Sequence, residues 1–190
     1  MRWHFRRVKL FTLLFLAIWG VIIIMIAETT KRDKKQPYYR EKLAASLLAQ
    51  KAYEAVKEYR LSHAIPTDPL SDPNRTGLIG EQFTLLTTDR GSLQAKLTAT
   101  NPAFAAVFVD MLKQLKLKEG NFVAVGWTGS MPGLNIALLA AMKTLKLKPI
   151  IITSLGASMW GANIPNFTWL DIERLLNERG ILPYKSLAAS

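Results

Sequence analysis

The stretch KQLKLKEGNFVAVGWTGSMPGLNIALLAAMKTLKLKPIIIT, residues 113–153, decides the fold. It holds one pattern twice: Lys113-Gln-Leu-Lys-Leu-Lys118 recurs thirty residues on as Lys143-Thr-Leu-Lys-Leu-Lys148. Each copy closes an apolar helical run and leads into a β-rich one. After the first, Asn121–Val125 (NFVAV) reads as a short buried strand. After the second, Pro149–Thr153 (PIIIT) reads as another. Two copies are too few for a solenoid. They fit successive units of a parallel sheet, joined by a right-handed crossover. The crossover helix starts at Pro132, and its segment Leu134–Met142 has only Asn135 as a polar member, so it must be covered nearly all round.

Working outward, Asn101-Pro102 supplies an N-cap and a first helical position for a helix running toward Leu117, which Glu119-Gly120 stops. Further upstream, Tyr39–Arg60 is helical by spacing, with Ala44, Leu47, Leu48, Ala52, Ala55, Val56 and Tyr59 on one broad arc and Lys51 intruding on it. Between these helices lies a run of breakers from Pro66 to Gly77, the start of a long irregular connection. Its Asp68 and Asp72, with Asp89 beyond, match no calcium loop and read as turn residues. Downstream, Thr168–Arg179 predicts a helix with Gly180 as its C′ residue, followed by a short Ile181-Leu182. The class is α/β: residues 39–190 form a small three-layer domain with a mainly parallel sheet.

Ahead of that domain, Leu10–Ala27 (LFTLLFLAIWGVIIIMIA) carries no charge. At ~1.5 Å per residue it reaches about 27 Å, close to the ~30 Å hydrocarbon core. A cleaved signal peptide would have a shorter apolar core and small residues at the cut, and the bulky Ile22–Ile26 run supplies no Ala-x-Ala site. The span reads as an uncleaved transmembrane anchor. It follows a cationic head, residues 1–9, with Arg2, Arg6, Arg7 and Lys9, and precedes a basic juxtamembrane linker, residues 28–38. Counting cations favours the C-terminal side inside, because Lys31, Arg32, Lys34, Lys35, Arg40 and Lys42 outnumber the head. A compact, purely cationic head nonetheless stays in the cytoplasm of signal anchors. The expected topology is a single-pass cell-membrane protein with an extracytoplasmic domain.

The formal charge of +11 is concentrated beside this span, and the folded part is nearly balanced. Each Lys or Arg near anionic lipid gains ~1 kcal/mol. Nucleic-acid binding would need a basic stripe with interleaved aromatics on the domain itself. The lipid bilayer is therefore the expected partner, and nucleic acid is not. The absence of cysteine excludes disulfide scaffolds, thiolate metal sites and cysteine nucleophiles, and two histidines, His4 and His63, cannot build a multi-histidine metal centre. No metal and no cofactor are expected.

Ligands of open parallel sheets bind outside the carboxyl ends of the strands. Two Gly/Ser loops take that place here: Gly126-Trp-Thr-Gly-Ser130-Met-Pro-Gly133 and Ser154-Leu-Gly-Ala-Ser-Met-Trp-Gly-Ala-Asn163. The first runs into a helix N-terminus, which favours a carboxylate or phosphate near Thr128, Gly129 and Ser130. The candidate ligand-binding set is Gly126, Thr128, Gly129, Ser130, Ser154, Gly156, Ser158 and Asn163. Such turns also need Gly and Ser for backbone reasons alone. Walker A, the dinucleotide fingerprint and the Gly-x-Ser-x-Gly elbow are absent. Ser130 is a candidate nucleophile, with His63 or Asp171 as helpers, although the default readings are a plain surface histidine and an acid that favours the first turn of its own helix. Trp127 and Trp160 serve as lids or as packing, and packing is the default.

The series Leu86-Thr-Thr, Gly91-Ser-Leu-Gln-Ala-Lys96, Thr98-Ala-Thr-Asn-Pro102, Gly129-Ser-Met-Pro-Gly-Leu-Asn135, Ser154–Asn163 and Phe167-Thr-Trp-Leu-Asp171 resembles the poly-gamma-glutamate system protein family across residues 39–190. That resemblance implies a membrane-anchored accessory or assembly subunit, associated with the ligase and membrane components of bacterial poly-gamma-glutamate (capsule) production, and contact with the anionic polymer. It transfers no catalytic residue. It also implies a glycine- and aspartate-rich continuation past Ala188-Ala-Ser190, so the chain reads as a truncated member. Two other readings stand beside it: a hydrolase or transferase acting on a gamma-glutamyl or amide bond through the Gly/Ser loops, and a phosphate- or nucleotide-binding module.

Overall fold

A helix with apolar side chains on every side has no preferred face to bury, and α1 (Leu10–Thr30) buries none of its 21 residues. The computed structural model describes residues 9–31 and 35–190 and divides the chain into two units, 1–37 and 38–190. α1 is long and apolar enough to cross a membrane. It runs three residues past the uncharged span, into the expected linker. The hydroxyls of Thr29 and Thr30 donate back to the Met25 and Ile26 carbonyls at 3.0 and 2.7 Å, and Lys31 reaches Glu28 at 2.5 Å, so the helix end is closed locally. The cationic head, Lys9 excepted, lies outside the described residues, as do residues 32–34 of the linker.

The second unit opens with α2 (Tyr39–Ser62), then α3 (Leu93–Ala99) and α4 (Phe104–Gln114). It continues through β1 (Phe122–Thr128), α5 (Pro132–Thr144) and β2 (Lys148–Ser154). A small antiparallel pair, β3 (Asn163–Ile164) with β4 (Phe167–Thr168), leads into α6 (Trp169–Glu178), and β5 (Ala188–Ala189) comes last. The sheet order is β1-β2-β5, parallel throughout, with Phe122 opposite Lys148 and Thr128 opposite Ser154. The α/β class with a mainly parallel sheet is the observed one.

The repeated hexapeptide marks a repeated geometry. Lys116 and Lys146 both sit in the left-handed region, at φ 56° and 53°, one residue past the helix caps Leu115 and Leu145. Each Lys amide closes its helix onto Lys113 or Lys143. The left-handed residue ends each helix; β2 follows directly after Leu147, whereas residues 117–121 intervene before β1.

The core lies on one side of the sheet. Strand side chains alternate, and the odd positions Val123, Val125, Trp127 and Ile151 join the hydrophobic cluster. The even positions face outward: Phe122 is 68% exposed, Ile150 43% and Ile152 55%. NFVAV is thus half-exposed rather than buried, and the layers lie on one side of the sheet. α5 occupies the centre, where α2, α3 and α4 all contact it, and α6 contacts α2. Ile136, Ala137, Ala140, Ala141 and Met142 of α5 are fully covered, as its composition requires. Its polar member Asn135 donates to the Thr128 carbonyl at 2.9 Å.

Three further differences from the sequence reading concern boundaries. β1 runs on through Gly126, Trp127 and Thr128, residues read as loop; register with Ile152, Thr153 and Ser154 holds them extended. α3 was not foreseen; Ser92 caps it by accepting from the Ala95 amide at 3.4 Å. Gly180 does end α6 at φ 65°, but Ile181-Leu182 is buried coil and the third strand is Ala188-Ala189. A buried polar chain holds that segment: Trp127 Nε1 donates to Thr153 Oγ1 (2.7 Å), Thr153 meets Ser186 Oγ (2.6 Å), and Ser186 donates to Glu173 through both its amide and its hydroxyl.

Candidate functional site

Parallel pairing of β1 with β2 brings the two Gly/Ser loops together at one edge, and they are tied to each other. Gly129 N–H donates to the Gly156 carbonyl (3.3 Å) and Ala162 N–H to the Gly129 carbonyl (2.7 Å). Ser158 N–H donates to Ser130 Oγ at 3.0 Å. Gly161 permits the contact, since a Cβ there would lie 2.8 Å from the Gly129 oxygen and 2.9 Å from the Ser130 Cα. At the same edge α5 begins under α3: a Cβ on Gly133 would lie 2.3 Å from the Ala99 oxygen, and Tyr53 Oη donates to the Gly133 carbonyl at 2.8 Å.

The centre of this knot is Lys96, from α3. It is 3% exposed, and its ammonium nitrogen bonds the Ser130 carbonyl oxygen and lies 2.7 Å from Ser158 Oγ. No carboxylate pairs with it, and burial alone holds its pKa below the ordinary lysine value. The crevice beside it, lined by Leu78, Ile79, Ala99, Thr100, Met131 and Pro132, has no room for water. Ser158 is half-buried. A lysine held dry against a serine hydroxyl can act as a base, because its neutral form is the one burial favours.

Among the sequence candidates, Ser130 and Ser158 come together. Ser130 Oγ accepts from Thr128 Oγ1 (2.8 Å) and from Ser158 N–H, while Thr128 Oγ1 accepts from Ser130 N–H (3.1 Å). These bonds correct the anion reading: the Gly129 and Ser130 amides that would cradle a phosphate are engaged inside the protein. Gly156 is committed to the loop contact, and a Cβ there would meet Thr88 Cγ2 at 2.4 Å. Gly126 and Thr128 lie on the exposed face of β1, and Ser154 closes β2. Asn163 is fully buried, accepting from Glu81 N–H (3.0 Å) and donating both side-chain amide protons, to the Glu81 carbonyl and Thr87 Oγ1 (2.8 and 3.0 Å), so its side chain serves the packing of these loops.

Neither proposed helper reaches Ser130. Asp171 Oδ2 accepts from the Thr168 amide and hydroxyl, both at 2.8 Å, forming the capping box of α6, and Oδ1 pairs with Arg174. His63 is exposed and stacked on Tyr59, ring centroids 3.9 Å apart, with Nδ1 3.0 Å from Ser62 Oγ. Trp127 packs rather than covers, edge-on to Trp169 at 5.2 Å. The aspartates of the irregular segment serve their own turns: Asp68 accepts from Leu70 N–H and Ser71 Oγ, which lower its pKa, and Asp72 accepts from Gly77 N–H and Thr76 Oγ1.

The residue missed from sequence is Lys96. Its signal was present, a lysine in the otherwise uncharged helix LQAKLTA, but its partners lie 34 and 62 residues away. Compared with known proteins, the chain matches no family model, no curated protein and no solved structure.

Proposed function

We propose that the chain is a membrane-anchored accessory or assembly subunit of a poly-gamma-glutamate synthesis and export system, held in the cell membrane by one span with its domain outside. The observation that carries the membrane half is α1: 21 residues, none buried, with no polar face to dock on a protein. The polymer half rests on the resemblance of the sequence motifs of residues 39–190 to that family. A basic collar beside the lipid suits an acidic polymer, since releasing its counterions favours contact. Among the described residues of the collar, Lys31 pairs with Glu28 and Lys42 with Asp110 at 2.7 Å. The experiment replaces residues 10–30 by an unrelated span while matching membrane levels. Polymer output should fall and protease added to intact cells should digest the domain. Undiminished polymer from cells lacking the whole chain would contradict the proposal.

A second reading, acyl transfer on a gamma-glutamyl or amide bond, draws support from one contact, Lys96 Nζ on Ser158 Oγ at 2.7 Å.

A further inference from the structure

Serine hydroxyls are weak nucleophiles until a base takes the proton, and lysine serves as that base only when burial keeps it neutral. Both conditions meet in one place. Lys96 is 3% exposed, walled on one side by a crevice without room for water, and bonded only to neutral oxygens. The charged side chains on the segments that flank it are Glu81, Asp89 and Arg90, all three exposed and none bonded to it; the two Gly/Ser loops bring none. Lysines that merely tie loops together normally reach a carboxylate or water, because an unpaired buried ammonium is costly. Burial lowers the pKa of Lys96, which lessens that cost, and its nitrogen lies 2.7 Å from a hydroxyl.

We propose that Ser158 and Lys96 form a nucleophile–base pair that transfers acyl groups from an ester or amide. The proposal deepens the acyl-transfer reading, and it does not depend on which polymer the protein serves. Gly91 leaves room for the pair, since a Cβ there would lie 3.3 Å from both Ser158 Oγ and Lys96 Cε.

The steps balance without any redox partner. Lys96 Nζ takes the Ser158 hydroxyl proton as Oγ bonds the acyl carbon, and the carbonyl π pair moves onto its oxygen. Ser130 Oγ accepts two hydrogen bonds, from Thr128 and from Ser158 N–H, so its own proton is free to donate to that oxyanion. Collapse breaks the bond to the leaving amine or alcohol, which carries off the Lys96 proton, and leaves an ester on Ser158. Water, or an acceptor amine, then gives a proton to Lys96 and attacks the ester carbon. The carbon–Oγ bond breaks and the proton returns to Oγ.

The test treats the full chain in detergent with a fluorophosphonate and maps the adduct by mass spectrometry, with a p-nitrophenyl ester as turnover probe. The adduct should sit on Ser158 and vanish in Ser158→Ala. Lys96→Arg keeps a cation but cannot give up its proton, and should slow labelling about 100-fold, the usual share of a general base. Ser130→Ala should slow it about tenfold with unchanged pH dependence. Wild-type labelling should rise with pH to a half-maximal point below 10.5, the ordinary lysine value; this readout needs no variant to fold. No adduct on wild type, an adduct on another serine, or equal labelling of Lys96→Arg would overturn the proposal. In the first case polymer loss on span replacement would still stand, so the two failures are distinct.

Discussion

Two cations are buried in this domain, and they do different things. Arg60, 2% exposed at the end of α2, spreads its guanidinium over the carbonyls of Gly77 (3.0 Å), Ile79 (2.7 Å) and Pro66. Asp72 and Glu81 help keep it charged, against the downward pull of burial. Lys96 also bonds a carbonyl, but it has no acid to hold its proton and it touches a hydroxyl. An arginine cannot readily become neutral, so a buried one is a clamp. A lysine without a counter-charge can, so the same burial turns it into a base.

The largest expected effect is on the clamp. Arg60→Met leaves three carbonyls without their donor. Loss of a buried charged group costs about 3–5 kcal/mol, which at roughly 2–4 °C per kcal/mol lowers Tm by about 10 °C. A loss under about 1 kcal/mol by denaturant titration would erase the distinction between the two sites.

The irregular segment that Arg60 pins was legible only as irregular. Pro66, Pro69, Pro73 and Gly77 announce breaks, but not that a helix arginine collects their carbonyls. Elsewhere local chemistry was enough. Pro132 and the single polar Asn135 placed α5, and the twin lysine hexapeptides marked two helix ends of the same left-handed geometry. What stayed hidden depends on distant chain. Gly126-Trp127-Thr128 looks like a loop until β2 supplies a register. Ala188-Ala189 has no strand character of its own and is held through Ser186 and Glu173. The meeting of the two Gly/Ser loops was legible, because parallel strands put both at one edge. The base between them was not, because α3 reaches it from another part of the chain.

A smaller effect sharpens the same comparison. Lys96→Met exchanges an amine for a thioether of similar length, and should lower stability at neutral pH by only about 1–3 kcal/mol, the cost of leaving the Ser130 carbonyl without its donor. The telling part is the pH slope. Because burial lowers the folded-state pKa of Lys96, the unfolded chain binds more protons between that value and 10.5, so unfolding free energy rises with pH across the window. The variant should lose this rise. Tyr53, raised by burial, acts in the opposite sense above its ordinary 10.0, so the slope is read below pH 10.

The most direct measurement is the titration of Lys96 itself, by 13Cε NMR of the full-length chain in detergent with 13C-labelled lysine, the signal assigned by its absence in Lys96→Met. A single lysine should titrate well below the others, with its shift moving again when Ser158 becomes Ala. A Lys96 resonance that titrates at 10.5 with the surface lysines would show that the buried amine keeps its proton, and that it ties loops as Arg60 does.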